Sequence, residues 1–404
     1  MTAGDAAGID VLIVGGGAAG LWTLDELQRS GYNAWLVEHD ALGIGQTIAS
    51  QGIIHGGLKY TLAGLLNESA ETIRDMPALW RGCLAGSNQP DLRRTPVLSE
   101  CCYLWRTTSV ASKVGLIGAR AGLRTAAIKI DRTDRPVALA SCPGDVFRID
   151  EQVIEPAGLL RDLADRQGER ILRCDASAGV QFSCDGPGRV ELVTLTHPQT
   201  GQHLQIRPRC IVLTAGAGNA DLRERAGLTA SVMQRRPLHM VLVRGDLPVL
   251  FGHCVDGAKT RVTIITTSDA QDRRVWLVGG QVSEDGVDMA PGDLIAHART
   301  ELTQALPGFD LQDVEWATLR VDRAEAKTRG RARPAGPFAT RDERVITAWP
   351  TKLALVPQLA KLIRELLGEP SAKESLSTAA PRDWPRPEVA PPPWDEDRRW
   401  VRLS

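Results

Sequence analysis

The pattern Gly15-x-Gly17-x-x-Gly20 constrains the fold of this chain more than any other feature. It follows the apolar run Ile9 to Val14, which reads as a buried strand, and it opens the helix-like stretch Ala18 to Arg29. A second apolar run, Asn33 to Val37, ends in Glu38. Strand, glycine turn, helix and strand make a β-α-β unit, and strands alternating with helices imply a parallel sheet in a layered α/β fold. Each glycine has a task there. Gly15 permits the tight turn, Gly17 lets the backbone approach a pyrophosphate, and Gly20 lets the helix pack closely on the strand. The helix N-terminus offers unpaired N–H groups and about half a positive charge to phosphates. Glu38 is placed to accept a hydrogen bond from a ribose hydroxyl. No G-K-[ST] follows the glycines, so a nucleotide triphosphatase loop is not supported.

At 404 residues the chain exceeds one ordinary core and suits two interleaved domains. Its 48 Lys and Arg against 49 Asp and Glu leave a formal charge of -1, so no global basic field draws nucleic acid or anionic lipid. The eight cysteines form no C-x-x-C pair and predict reduced thiols in a cytoplasmic protein. No uninterrupted apolar run reaches the length of a membrane span, which leaves peripheral membrane contact open.

Further along, Ala157 to Arg166 and Pro357 to Leu367 read as helices, as does Pro291 to Leu306. Ile171 to Phe182, Val190 to Leu195 and Leu204 to Leu213 read as strands closing on the turn Thr214 to Gly218. A second strand-rich block holds Leu238 to Arg244, Val262 to Thr266 and Val275 to Val278. Beyond Gly368 the chain is rich in proline and reads as an extended or poorly ordered arm.

The stretch Ile53-Ile54-His55-Gly56-Gly57-Leu58-Lys59-Tyr60 carries chemistry-bearing side chains close behind the glycine pattern. With Thr47, Ala49 and Ser50 ahead of it, it resembles the flavoprotein superfamily of D-amino-acid oxidase, and within it the FAD-dependent glycerol-3-phosphate dehydrogenases and oxidases. Those proteins carry a Ser/Thr-rich segment leading into I-H-G-G-L-R-Y, matched here with Lys59 in place of Arg. Ile154-Glu155-Pro156, Val212 to Gly218, Arg333-Pro334 and Lys352-Leu353 resemble further segments of the family. Departures are also clear. Pro350-Thr351 stand where the family has paired glycines before Lys352, and Gly330 lies one residue too far from Arg333. No counterpart of the long helical C-terminal domain of many glycerol-3-phosphate dehydrogenases is apparent. These changes weaken glycerol 3-phosphate as substrate more than they weaken flavin binding.

The resemblance implies an α/β fold with a Rossmann-like FAD-binding domain of the GR2 type, interleaved with a substrate domain on a mixed or antiparallel sheet. The expected boundaries are 8–95, 151–228 and 325–368 for the FAD-binding domain, 96–150 and 229–324 for the substrate domain, and 369–404 for the arm. It implies FAD contacts at Gly15, Gly17, Ala19, Gly20, Glu38, Thr47, Ser50, Gly52, Val180, Gly216 and Leu353, and substrate contacts at Lys59 and Tyr60. The expected reaction is hydride transfer to flavin N5 from the C–H bond of a small anionic secondary alcohol, either a 2-hydroxy acid or a polyol phosphate. An amino-acid or amine oxidase and a non-catalytic FAD-binding subunit are the alternatives.

A base must be largely unprotonated near neutrality. Histidine, with a reference pKa of about 6.5, meets that condition, whereas lysine at about 10.4 needs a depression of some 3 units. His55 and His239 are therefore the rival bases, ahead of Lys59 and Lys352. Arg333 and Lys352 can orient an anionic group, with Arg329 and Arg331 beside Arg333 as alternatives for the same role. Electrons then pass to oxygen, a quinone or a protein. No His/Cys cluster has zinc spacing, His253-Cys254 alone being too little, and no G-x-S-x-G elbow occurs, so neither metal nor acyl-transfer chemistry is expected.

Overall fold

Alternating apolar runs and glycine turns build the first sheet around β1 (Ala7–Val14). The computed structural model describes residues 6–57, 73–107, 127–256, 259–371 and 380–403. β1, the helix α1 (Ala18–Arg29) and β2 (Ala34–Glu38) form the expected β-α-β unit, with β1 and β2 parallel. On its other side β1 pairs in parallel with His203–Leu213. Along its main path the sheet runs Phe338–Asp342, Val345–Trp349, His203–Leu213, β1, β2 and Ile171–Arg173, parallel except at the first pair, and Val190–Thr196 and Val180–Cys184 add an antiparallel branch on His203–Leu213. Its central strands are covered on both faces, which is why they read as near-continuous apolar runs. Pro156–Gln167 and Val356–Leu367 flank α1 on one face and bury Leu159, Leu163, Leu359 and Ile363 there.

The expected single strand Ile171 to Phe182 is broken in two, Ile171–Arg173 and Val180–Cys184. Asp175 accepts the amides of Ser177 and Ala178 and Gly179 turns at φ +60°, so the local turn outcompetes the extended ladder.

The second sheet has nine strands among the described residues and is antiparallel except where Gly252–Asp256 meets Cys102–Arg106. Its spine is the long pair Met233–Arg244 and Glu315–Ala326. The latter strand was not expected, because Glu315, Arg320, Asp322, Arg323 and Glu325 interrupt its apolar alternation. Helix Pro291–Ala305 packs Leu294, Ile295, Ala298 and Leu302 on one face of this sheet. The opposite face buries Met240, Leu242 and Leu319 with Ala49 and Ile53 from the segment that follows β2.

Residues 380–403 run extended across both sheets. Leu42 and Ala390 exchange backbone hydrogen bonds with Glu388 and Leu42, Trp384 packs under the first sheet, and Trp394 packs on the second. Val401–Arg402 then pairs with Trp316 and Glu315. All eight cysteines are free thiols, six of them buried. Among the described residues no helix is long and apolar enough to cross a membrane.

Candidate cofactor and substrate site

The carboxyl ends of the parallel strands open onto one cavity of about 1320 Å³. Gly15 to Ala19 reach it from the end of β1, Glu38 from the end of β2, Thr214 to Gly218 from His203–Leu213, and Trp349 to Leu353 from Val345–Trp349. This is where ligands bind in open α/β sheets. The second sheet closes the other side with Leu238, Met240, Thr263, Leu319 and Arg323.

The glycine turn is shaped by contact. Gly15 holds φ +114°, and a Cβ there would lie 2.5 Å from the Ala215 nitrogen. A Cβ on Gly20 would lie 2.0 Å from the Gly15 oxygen, so Gly20 packs the helix onto the turn and does not line the cavity. Gly17 and Ala19 do line it, and no side chain caps α1 at Gly17, so its first-turn amides are available to an anion. Thr47 Oγ1 accepts only a long bond of 3.3 Å from the Ala18 amide. The buried Ser50 Oγ has no hydrogen-bond partner among the described residues and sits on the cavity wall, as do Gly52, Val180, Gly216 and Leu353.

Glu38 is buried at the cavity edge and accepts the Gly16 amide at 2.7 Å and the His39 amide at 2.8 Å. Burial by itself would raise its pKa, but the His39 side chain and the Gly16 amide outweigh that and hold it below the ordinary carboxylate value. His39 in turn is raised by its bond to Glu38. These donors keep Glu38 an anion, a strong acceptor for hydroxyl groups.

His55 is the expected base that the structure brings to the cavity. Its Nδ1 lies 3.1 Å from Oε2 of Glu151, a carboxylate whose other oxygen accepts the Gly56 amide at 2.8 Å. That bond places the imidazole proton on Nδ1 and leaves Nε2 as the acceptor. Burial alone would raise Glu151, but His55 and His253 together hold it well below the usual carboxylate range. His239 goes elsewhere. Its Nδ1 bonds the Gly286 carbonyl at 3.0 Å, and it is absent from the cavity wall that its neighbours Leu238 and Met240 form, because alternate residues of a strand face opposite sides.

Arg333 and Lys352 both line the cavity. Arg323, which sequence reasoning missed, lines it too, and its pKa falls to about 10 through burial and the neighbouring charges of Arg236 and Arg333. Glu151 and His253 were missed as well. Glu151 follows a short strand and belongs to no motif, and His253 stands beside Cys254 without the spacing of a zinc site. Lys59 and Tyr60 lie outside the described residues. The Pro350-Thr351 departure keeps a glycine-like backbone, for Thr351 holds φ +64° and donates from Oγ1 to the Gly336 carbonyl at 2.8 Å.

A doubly layered parallel sheet with an uncapped glycine turn, an ionised acid after β2 and a cavity roofed by a second sheet defines a dinucleotide-dependent enzyme. The match to known proteins narrows this class. Residues 10–347 match the family model described as FAD dependent oxidoreductase, and the chain belongs to that family. It is 41% identical over 391 residues to the Pseudomonas aeruginosa protein called "Probable FAD-dependent oxidoreductase PA4991", covering 96% of this chain and 97% of that one. The crystal structure of PA4991 superposes with a TM-score of 0.80 at 37% identity, covering 97% of this chain and 99% of that one. Glycine oxidase from Geobacillus kaustophilus has a TM-score of 0.62 at 16% identity, covering 93% of this chain and 99% of that one. L-alpha-glycerophosphate oxidase from Mycoplasma pneumoniae, solved with FAD bound, has a TM-score of 0.60 at 16% identity, covering 95% and 99%. At that identity these two share the fold alone. The protein is thus an FAD-dependent oxidoreductase with the mixed α/β architecture expected from its sequence.

Proposed function

We propose that this enzyme oxidises the C–H bond beside the hydroxyl of a small anionic alcohol, a 2-hydroxy acid or a polyol phosphate. The observation that supports this reading is the His55–Glu151 pair at the cavity wall, since a neutral imidazole that donates from Nδ1 to a carboxylate carries its lone pair on Nε2. An amine sheds its ammonium proton before it reacts, and hydride loss from the free base then gives an iminium with no further proton removed from nitrogen in that step. An alcohol holds its hydroxyl proton tightly and needs a positioned base as the C–H bond breaks. In this reading FAD supplies the two-electron acceptor for the C–H hydride. The hydroxyl proton passes to His55 Nε2 and the alcohol carbon becomes a carbonyl.

The chain's own residues divide the remaining work. Gly15, Gly17 and Ala19, with the first amides of α1, would hold the pyrophosphate, and Glu38 the ribose. Thr47, Ser50, Gly52, Val180, Gly216 and Leu353 would line the rest of the cofactor's path, with the buried Ser50 hydroxyl available as a donor. Arg323, Arg333 and Lys352 would draw in the substrate anion, and the lowered proton affinity of Arg323 reflects its burial first and the neighbouring charges of Arg236 and Arg333 second.

Glu38→Ala is expected to weaken FAD binding about 10- to 100-fold, the usual loss for a hydrogen bond to a charged group, read as flavin released on dialysis. Arg323→Met should raise KM for an anionic substrate by a similar factor with kcat less affected, measured by steady-state kinetics. The function is tested by anaerobic mixing with 2-hydroxy acids, polyol phosphates, amino acids and amines, followed by admission of air. Bleaching of the flavin by an anionic alcohol supports the proposal. Bleaching by amines or amino acids alone, with ammonia released, would replace it by an amine-oxidising function.

A further inference from the structure

We infer that His253, which does not reach the cavity, tunes His55 by sharing its carboxylate, so that His55 stays unprotonated near neutral pH. The inference rests on the reading of His55 as the base. Three side chains meet around one carboxylate oxygen in the interior. Glu151 is 2% exposed and His253 0%, whereas His55 is 20% exposed. Glu151 Oε2 lies 3.1 Å from His55 Nδ1 and 3.8 Å from His253 Nε2, and the two imidazole rings stack with centroids 5.8 Å apart. His253 is anchored from behind, its Nδ1 2.8 Å from Thr263 Oγ1.

A histidine alone against a buried carboxylate gains proton affinity, because only the imidazolium cancels the charge. Such a base would be blocked by its own proton at neutral pH. A second imidazole on the same oxygen opposes this in either of its states. Neutral, with its proton on Nε2, it turns an N–H dipole toward Oε2 from 3.8 Å, beyond hydrogen-bond length, which offsets part of the Glu151 charge and weakens the carboxylate's pull on His55. Protonated, it is a like charge close to the His55 ring and makes a second imidazolium costly. Both states lower the proton affinity of His55 relative to a simple pair.

The strands beside His253 set Leu104 and Thr263 opposite it, both uncharged. The next residue, Cys254, keeps a neutral thiol, pushed up to about 12 by burial. On either side of Glu151, Asp150 pairs with Arg81 and Gln152 donates to Glu100. Lys259 and Lys352 line the cavity that His55 faces, and their positive charge acts in the same direction as His253.

The experiment follows the two rings by nitrogen-15 NMR in the resting holoenzyme, together with the acid limb of kcat/KM. In the native protein the two imidazoles should titrate as one coupled unit, in two steps about one pH unit or more apart. In His253→Phe the His55 titration and the acid limb should both move about one unit or more to higher pH, because the carboxylate then acts on His55 alone. His253→Gln, whose amide can still donate toward Glu151, should restore part of that change. Independent titrations of the two native rings near 6.5, or an unmoved His55 in a folded His253→Phe protein, would overturn the inference. Should His253→Phe fail to fold, the native coupling decides. If His55 titrates as described but His55→Gln reduces the flavin at the native rate, it is the assignment of the base that fails, not the coupling.

Discussion

His55→Asn is expected to lower kcat/KM for substrate oxidation about 10²- to 10⁴-fold, the range associated with a lost general base, while the flavin stays bound. The size of the effect follows from what His55 touches. It lines the cavity, and its Nδ1 is held to a carboxylate that also accepts the Gly56 amide. Removing the imidazole therefore takes away a proton acceptor without opening the glycine turn or the Glu38 edge. Anaerobic stopped-flow mixing separates the steps: reduction of the flavin should slow by the same factor, and reoxidation in air should be unchanged. Reduction at the native rate would remove His55 from the chemistry. Glu151→Gln should also slow reduction, and it carries a second cost, since disturbing the buried acceptor of the His55 and Gly56 N–H groups destabilises by about 1 to 3 kcal/mol. The pH dependence has a definite sign. Glu151 is held below its ordinary value in the folded protein, so the stability it contributes is fully present above the ordinary carboxylate range and is lost only as pH falls toward the depressed value.

What the sequence made legible here was whatever is local in the chain. The β-α-β unit, its glycines and Glu38 sit within a few dozen residues, and their hydrophobic period and turn chemistry determine β1, α1 and β2 almost residue for residue. His55 was legible because its neighbours form a recognisable run. Its orienting carboxylate was not. Glu151 meets His55 across 96 residues and His253 comes from a different strand, so only the folded sheet order brings them together. Arg323 was hidden for another reason: it sits in a strand whose charged residues erase the alternation that would have announced it. His239 shows the opposite error, since a correctly expected strand still leaves open which face each residue takes. A shift of one position sends the side chain to the far side, and His239 bonds Gly286 there.

Removing residues 380–404 is expected to lower the unfolding midpoint by about 10 °C or more and to leave a protein that loses FAD during purification. A proline-rich tail would ordinarily be dispensable, but this one buries two large side chains in different cores. Trp384 is 7% exposed against the first sheet, with its Nε1 donating to the Arg173 carbonyl, and Trp394 is 5% exposed against the second, donating to the Ser268 carbonyl. Truncating a buried tryptophan costs about 3 to 5 kcal/mol, so the pair outweighs much of the roughly 5 to 15 kcal/mol that keeps a typical protein folded. The effect on the cofactor has its own cause. Leu42 is gripped on both sides by Glu388 and Ala390, and the Leu42 side chain packs directly over Gly16 beside Glu38. Pro391, Pro393, Glu396 and Arg398 then continue along the cavity wall toward the second sheet. Cutting the tail therefore removes one side of the cavity and releases the loop that backs the glycine turn. Calorimetry of the truncated chain, with flavin quantified by absorbance, checks both effects. The paired variants Trp384→Phe and Trp394→Phe, which keep most of the volume but lose the indole N–H bonds, should show a smaller fall in midpoint and retain FAD. A truncated protein that keeps its flavin and its midpoint would mean that the two sheets hold the cavity closed without the arm.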